Sequence, residues 1–171
     1  TTERSENGVK VVRWMLNSVP PPTYSAACDF KSGRIDRWME IEFFPPCSVR
    51  IHTGAVDANT GAKEGRREGG IAFWGWNSET PETENTSHYF WSGARNYAPD
   101  EPPIRAKMLD GLAPTFAEDK IVVEAQQAVQ DRRPDAPFVM IASDAGMAYA
   151  RRLVNALLEK ERKLASPGIE P

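Results

Sequence analysis

Three side chains in this sequence could act together on a metal: His52, His88 and Asp119. Asp119 lies in Phe116-Ala117-Glu118-Asp119-Lys120-Ile121-Val122-Val123-Glu124, a stretch that reads as helix. It precedes Val122 and Val123 by one turn, so it shares their side of the helix, which their apolar character marks as the inward one. A carboxylate on an inward face is costly unless a cation, a donor or a metal satisfies it. Asp119 is therefore a candidate metal ligand. His52 and His88 are the only histidines, and with Asp119 they form the one two-histidine, one-carboxylate set inside the chain, a ligand type used by non-haem iron. No ligand spacing supports that set. The plainer expectation is one histidine half-buried and hydrogen-bonded, the other facing solvent. Cys28 and Cys47 make no CxxC pair and have no histidine beside them, so they read as small core residues.

The elements that must position these groups come strands first and helices last. Residues 9–16 alternate Val9, Val11 and Arg13 against Lys10, Val12 and Trp14, and stop at Val19-Pro20-Pro21-Pro22. Residues 38–44 alternate around Glu40 and Glu42 up to Pro45-Pro46. Residues 47–56, 71–77 and 86–96 complete five strands in series, which predicts an antiparallel sheet. The charged loop between the third and fourth strands, around Lys63-Glu64-Gly65-Arg66-Arg67-Glu68, reads as a solvated hairpin tip. A short helix near residues 105–112 follows the prolines at 99, 102 and 103. A second, over 115–132, starts at Thr115 as N-cap with Glu118 closing a capping box. A third starts at Ser143 or Asp144, with Met147, Ala150, Val154 and Leu157 as its apolar stripe, and residues 166–171 form a frayed tail. A sheet with long helices laid into its concave face is an α+β arrangement.

The aromatic runs Phe73-Trp74-Gly75-Trp76 and Tyr89-Phe90-Trp91 read first as packing under those helices. They could also wall an apolar pocket, with His88 as a polar group that orients a ligand. Arg50 and Arg95 could meet an acidic ligand, but ion pairs with Glu40 and Glu42 are the simpler reading. At 171 residues the chain can bury a real core as one domain. The formal charge of −3 and the absence of a basic run argue against nucleic acid as a partner. No apolar run approaches the roughly 20 residues that span a membrane, and no signal peptide opens the chain. With two cysteines only, a reducing cytoplasm is the expected compartment.

Several motifs occur here in the order seen in one enzyme family: Val12-Arg13-Trp14-Met15, Val19-Pro20-Pro21-Pro22, Asp36-Arg37-Trp38-Met39-Glu40 and Thr80-Pro81-Glu82-Thr83-Glu84. His88-Tyr89-Phe90-Trp91, Ala94-Arg95-Asn96-Tyr97 and Glu118-Asp119-Lys120 follow in register. The sequence resembles, over nearly its whole length, the C-terminal catalytic part of vanillate O-demethylase oxygenase subunits and dicamba-monooxygenase-like Rieske non-haem iron oxygenases. The resemblance implies a helix-grip fold, an antiparallel sheet wrapped around a long C-terminal helix, which agrees with the order of elements read above. It implies a monooxygenase or O-demethylase that oxidises an aromatic substrate with dioxygen. Electrons would come from NADH through a reductase or ferredoxin to a Rieske [2Fe–2S] cluster and on to mononuclear Fe(II), in an enzyme expected to be a homotrimer.

On the family pattern the iron's carboxylate ligand maps onto Asp119, and His88 onto a position that contacts the substrate's carboxylate. An aromatic that dicamba-type enzymes place before the ligand aspartate falls near Asp110 here, so substrate identity does not transfer. The paired CxH and CxxH motifs of a Rieske cluster are absent from the sequence, as are the family's two iron-ligating histidines. Residues 1–165 are therefore expected to be the C-terminal part of the catalytic domain, as a fragment, a second polypeptide of a cleaved enzyme, or a chain lacking its front part. Alone, it should neither hold iron well nor turn over. The other function class that remains open is a non-enzymatic helix-grip domain that binds an aromatic or other apolar ligand.

Overall fold

Alternation along the strands decides the sheet. In residues 9–15, 35–43, 49–55 and 71–77 most side chains of one alternate set are apolar or small, with Arg13, Arg37 and Asn77 among its polar members, so each strand can turn one largely apolar face one way while the other carries charge and tryptophan. A computed structural model describes residues 1–98, 102–137 and 139–165, with nothing said of the side chain of Lys107. Residues 166–171, expected as a frayed tail, lie outside the described residues, as does Pro99. Two units form, one from residues 1–97 with the segment from 142 onward, the other from residues 98–141.

The first unit is a six-stranded antiparallel sheet in sequence order: β1 (Thr2–Ser5), β2 (Gly8–Ser18), β3 (Ile35–Phe44), β4 (Ser48–Asp57), β5 (Ile71–Pro81) and β6 (Ser87–Arg95). A short helix, α1 (Pro22–Ser25), follows β2, and α3 (Ala145–Ala165) belongs to the same unit. Five of the strands fall where alternation predicts them. β1 is the addition; it is short and charged, and it forms because β2 offers it a free edge, with Glu3 opposite Lys10.

Cross-strand partners share a face, so the register sorts the side chains. One face carries the row Lys10, Glu42, Arg50, Trp76, then the row Val12, Glu40, His52, Trp74, then Trp14, Trp38, Gly54, Ala72. The other carries Val9, Phe43, Val49, Asn77, then Val11, Ile41, Ile51, Gly75, then Arg13, Met39, Thr53, Phe73, then Met15, Arg37, Ala55, Ile71. Each face has its own small core. Trp38, Val56, Ala62 and Ala72 pack on the first, with Trp14 against them. Phe30, Ile35, Ala55 and Ile71 pack on the second, under Tyr24, Ala27, Cys28 and Tyr97. Cys28 thus has the core-lining place expected of it, and burial pushes its thiol pKa up.

Between β4 and β5 the charged stretch 63–68 is solvent-exposed as expected except at Arg67, while the residue just before it is not. Ala62, in a 3-10 turn, is buried in the first core. Arg67 folds back over Trp14 and Trp38, its guanidinium carbon 5.1 and 4.6 Å from their ring centres. Buried Asp36 ties this segment to the β2–β3 end, because its two carboxylate oxygens accept the backbone N–H groups of Asn17 and Asn59 at 2.9 Å each. On α3 the less exposed residues are Ala145, Gly146, Ala148, Tyr149, Ala150, Leu153 and Val154, while Met147 and Leu157 are exposed. The expected stripe is therefore rotated by about one residue, since Gly146 must approach Val11 closely on β2 and Tyr149 reaches back to the Ser5 carbonyl.

In the second unit α2 (Pro102–Arg132) is one continuous helix with Pro114 inside it. The two helices read from sequence are thus a single one, and Thr115 is no N-cap. Its hydroxyl donates to the Gly111 carbonyl one turn back, next to the backbone bond that Pro114 cannot make.

Close packing at Gly54 gives a direct test. A Cβ there would collide with the Trp38 ring and the Ile71 carbonyl, whereas one at Gly75 would meet only ordinary contacts. Gly54→Ala is expected to lower unfolding stability by roughly 2 kcal/mol or more, and Gly75→Ala by less than about 1 kcal/mol, in urea melts followed by tryptophan fluorescence.

Candidate functional site

The charged face of the sheet is built around Glu40. Its neighbours two residues away on the pleat, Trp38 and Glu42, share its side, so a carboxylate stands next to a fully buried indole. Arg67 donates to Glu40 at 2.8 Å, Lys10 sits at 3.2 Å, and His52 Nδ1 at 3.5 Å. On its other side His52 Nε2 accepts the Trp38 indole N–H at 3.4 Å, and its ring stacks on Trp74 with centroids 4.8 Å apart. Accepting at Nε2 places the proton of neutral His52 on Nδ1, facing Glu40. Burial lowers the His52 pKa from 6.5, against the opposing pull of Glu40. Burial would raise the Glu40 pKa, but hydrogen bonds from Arg67 and Lys10 bring it below 4.5. Arg50 pairs with Glu42, the ion pair expected from the sequence. These groups line a cavity of about 150 Å³ bounded by Lys10, Glu40, Glu42, Arg50, His52 and Trp74. Its charges satisfy one another, so the ring of ion pairs is structural.

The histidines divide as the plainer reading expects. His52 is half-buried and hydrogen-bonded, whereas His88 on β6 is 58% exposed, 3.6 Å from Glu82 and beside exposed Phe90. They do not meet. The β6 residue in line with His52 across Trp74 is Ala94, and His88 lies six residues further along the strand, about 20 Å away. An internal site from His52, His88 and Asp119 is thereby excluded. Among the described residues no group of three His, Cys, Asp or Glu side chains is placed to hold a metal.

Asp119 lies on α2 and is exposed, as are Val122 and Val123. It does share their side of the helix, but that side is not a buried one, and the apolar residues of α2 form no single stripe. Among the described residues Asp119 has neither a hydrogen bond nor an ion pair, while its neighbour Lys120 pairs with Glu124 at 3.6 Å. Its carboxylate is free to ligate.

The more apolar face holds, besides Arg13, Thr53 and Arg95, two polar groups that the sequence reading passed over. Asn77 is 6% exposed and its carbonyl accepts the Tyr89 hydroxyl at 2.8 Å. Arg37 stands at the other end, its guanidinium carbon 4.7 Å from the centre of the Tyr24 ring. The signal for both was present: each is the polar member of an otherwise apolar or small alternate set in its strand.

The structure matches that of dicamba monooxygenase bound to 3,6-dichlorosalicylic acid with a TM-score of 0.81 at 22% identity, over 95% of this chain and 47% of that one. The α+β, helix-grip class expected from the sequence is therefore the observed one. Residues 1–160 match the family described as the vanillate O-demethylase oxygenase C-terminal domain, and the chain belongs to it. It is 36% identical to the toluene-4-sulfonate monooxygenase system iron-sulfur subunit TsaM1 of Comamonas testosteroni, over 96% of this chain and 48% of that protein. It is 30% identical to the vanillate O-demethylase oxygenase subunit of Pseudomonas sp. (strain ATCC 19151), over 88% of this chain and 47% of that protein. The chain spans about half the length of the curated relatives it matches.

The His52 environment predicts a pH response. A histidine whose folded pKa lies below its unfolded value adds stability that is fully present above about pH 6.5 and is lost as pH falls toward the folded value. Urea unfolding at pH 7.5, 6.5 and 5.5 (about one unit apart) should show stability falling with acid, and His52→Gln should flatten that slope. The separate loss due to Glu40, whose folded pKa is depressed, should begin only below its ordinary value of 4.5.

Proposed function

We propose that this chain is the C-terminal portion of the catalytic domain of a Rieske-type mononuclear iron oxygenase that hydroxylates or O-demethylates a carboxylated aromatic substrate. The observation that carries the reading is the family match over residues 1–160 together with the dicamba monooxygenase fold. Relatives named as an iron-sulfur subunit and as oxygenase components support separate electron-transfer partners, with NADH as the electron source through a reductase or ferredoxin. The complete protein is proposed to be a homotrimer in the cytoplasm. No described helix is long and apolar enough to cross a membrane.

Asp119 is the proposed carboxylate ligand of mononuclear Fe(II). A free, exposed carboxylate fits that role, and because no group of three His, Cys, Asp or Glu side chains among the described residues could complete a site around it, the proposal takes two histidine ligands from elsewhere in the full-length protein. When bound, the iron supplies dioxygen activation and the Rieske [2Fe–2S] cluster supplies electrons. What this chain supplies is one ligand, the sheet and the walls for the substrate. His88 is the candidate contact for the substrate's carboxylate; its half-exposed ring, 3.6 Å from Glu82, is open to a ligand and can donate to an anion.

In the full-length protein, Asp119→Ala should remove most of the iron and abolish turnover while the visible spectrum of the cluster persists. Normal iron content in that variant would overturn the ligand assignment. His88→Ala should raise KM for a carboxylated aromatic by about tenfold with iron retained, and an unchanged KM removes His88 from the site.

A further inference from the structure

Inside α2, Gly111, Pro114 and Thr115 stand within one stretch of little more than a turn, and each weakens a helix interior. Glycine and proline are the two costliest residues there, the first through its backbone freedom, the second because it has no N–H for the carbonyl four residues back. Pro114 thus removes the helix bond that the Asp110 carbonyl would accept. Thr115 turns its hydroxyl onto the Gly111 carbonyl at 3.1 Å, a back-bond of the kind that bends helices. No packing accounts for Gly111. A Cβ built on it meets no atom within 4 Å among the described residues, and its φ lies outside the left-handed region. Alanine would fit there and hold the helix better.

Parting the helix at this point costs little, because its second half carries its own start. Thr115 as N-cap, with Glu118 at N3, closes a capping box once the Thr115 hydroxyl leaves the Gly111 carbonyl. One hydroxyl therefore serves both the continuous and the parted helix. Asp119 follows Thr115 by one turn and shares its side. At about 1.5 Å per residue it stands ~7.5 Å past Pro114, so a change of about 10° at the proline moves its backbone by about 1 Å. Distances to a metal tolerate only about 0.2 Å. The direction α2 takes at Pro114 thus decides whether the Asp119 carboxylate can reach a metal that other groups also hold.

We infer that Gly111, Pro114 and Thr115 form a hinge in α2 and act as positioning residues for Asp119. They let the half of the helix that bears the carboxylate set its direction independently of the half before it. This role rests on Asp119 as the iron ligand, as proposed above, and adds which residues aim it.

The test is Fe(II) binding to the iron-free full-length protein by anaerobic equilibrium dialysis, with thermal melting of the same iron-free samples. Gly111→Ala and Pro114→Ala make a better helix, so each should melt at or above the wild-type temperature. Each should nevertheless bind Fe(II) about ten- to a hundredfold more weakly, the range found when groups that orient a metal ligand are changed. Thr115→Val should weaken binding in the same direction, and Thr115→Ser, which keeps the hydroxyl, should bind as wild type does. Wild-type affinity in Pro114→Ala overturns the inference. So does a lower melting temperature in both alanine variants, which would mark the segment as close-packed rather than hinged. Asp119→Ala separates the hinge from the ligand assignment. Iron retained in that variant removes the assignment itself, whereas iron lost there but held normally by Pro114→Ala removes only the hinge.

Discussion

The sheet depends on how the Trp38 indole is buried. Trp38 is 1% exposed, and an indole N–H taken that far from water needs an acceptor. His52 provides it, stacked on Trp74 and turned by Glu40, which in turn gathers Arg67 and Lys10. Five elements are joined through one carboxylate: β2 by Lys10, β3 by Glu40 itself, β4 by His52, β5 by the ring beneath it, and the β4–β5 segment by Arg67. The arrangement needs the absent Cβ at Gly54, where the Trp38 ring crosses β4.

That network settles what each face of the sheet can do. One face spends its charges on one another and on tryptophan, and it is organised but chemically closed. The other holds most of the apolar residues together with Arg13, Arg37, Thr53 and Arg95, and its buried Asn77 is engaged by Tyr89. Asp119, on α2, is an exposed carboxylate with no hydrogen bond or ion pair among the described residues.

Much of the fold was legible because alternation is a local property. The rows Val9-Val11-Arg13 and Lys10-Val12-Trp14 fall on opposite faces as read, and four further strands fall close to where the period predicts them. Other features were hidden because they depend on distant partners. β1 is too short and charged to announce itself; it needs the edge of β2. Arg67, in a run of charges and glycines, resembles a hairpin tip until Trp14 and Trp38 are brought beneath it. Pro114 suggested a helix boundary, yet α2 continues through it, with Thr115 bonding backward instead of capping forward. The inward face assigned to Asp119 was inferred from Val122 and Val123, but helical spacing tells only which side chains are neighbours and not what covers them.

Composition, order of elements and registered motifs by themselves determined the class of this protein: an α+β sheet-and-helix domain of an oxygenase family. Those are statements about residue types and near neighbours, which a linear chain carries openly. Only tertiary structure decided that His52 serves Trp38 and that His88 lies about 20 Å from it along the sheet. It also decided that Arg37 is a guanidinium without an acceptor. Satisfaction of a polar group is a property of everything folded around it, and no spacing along the sequence contains it.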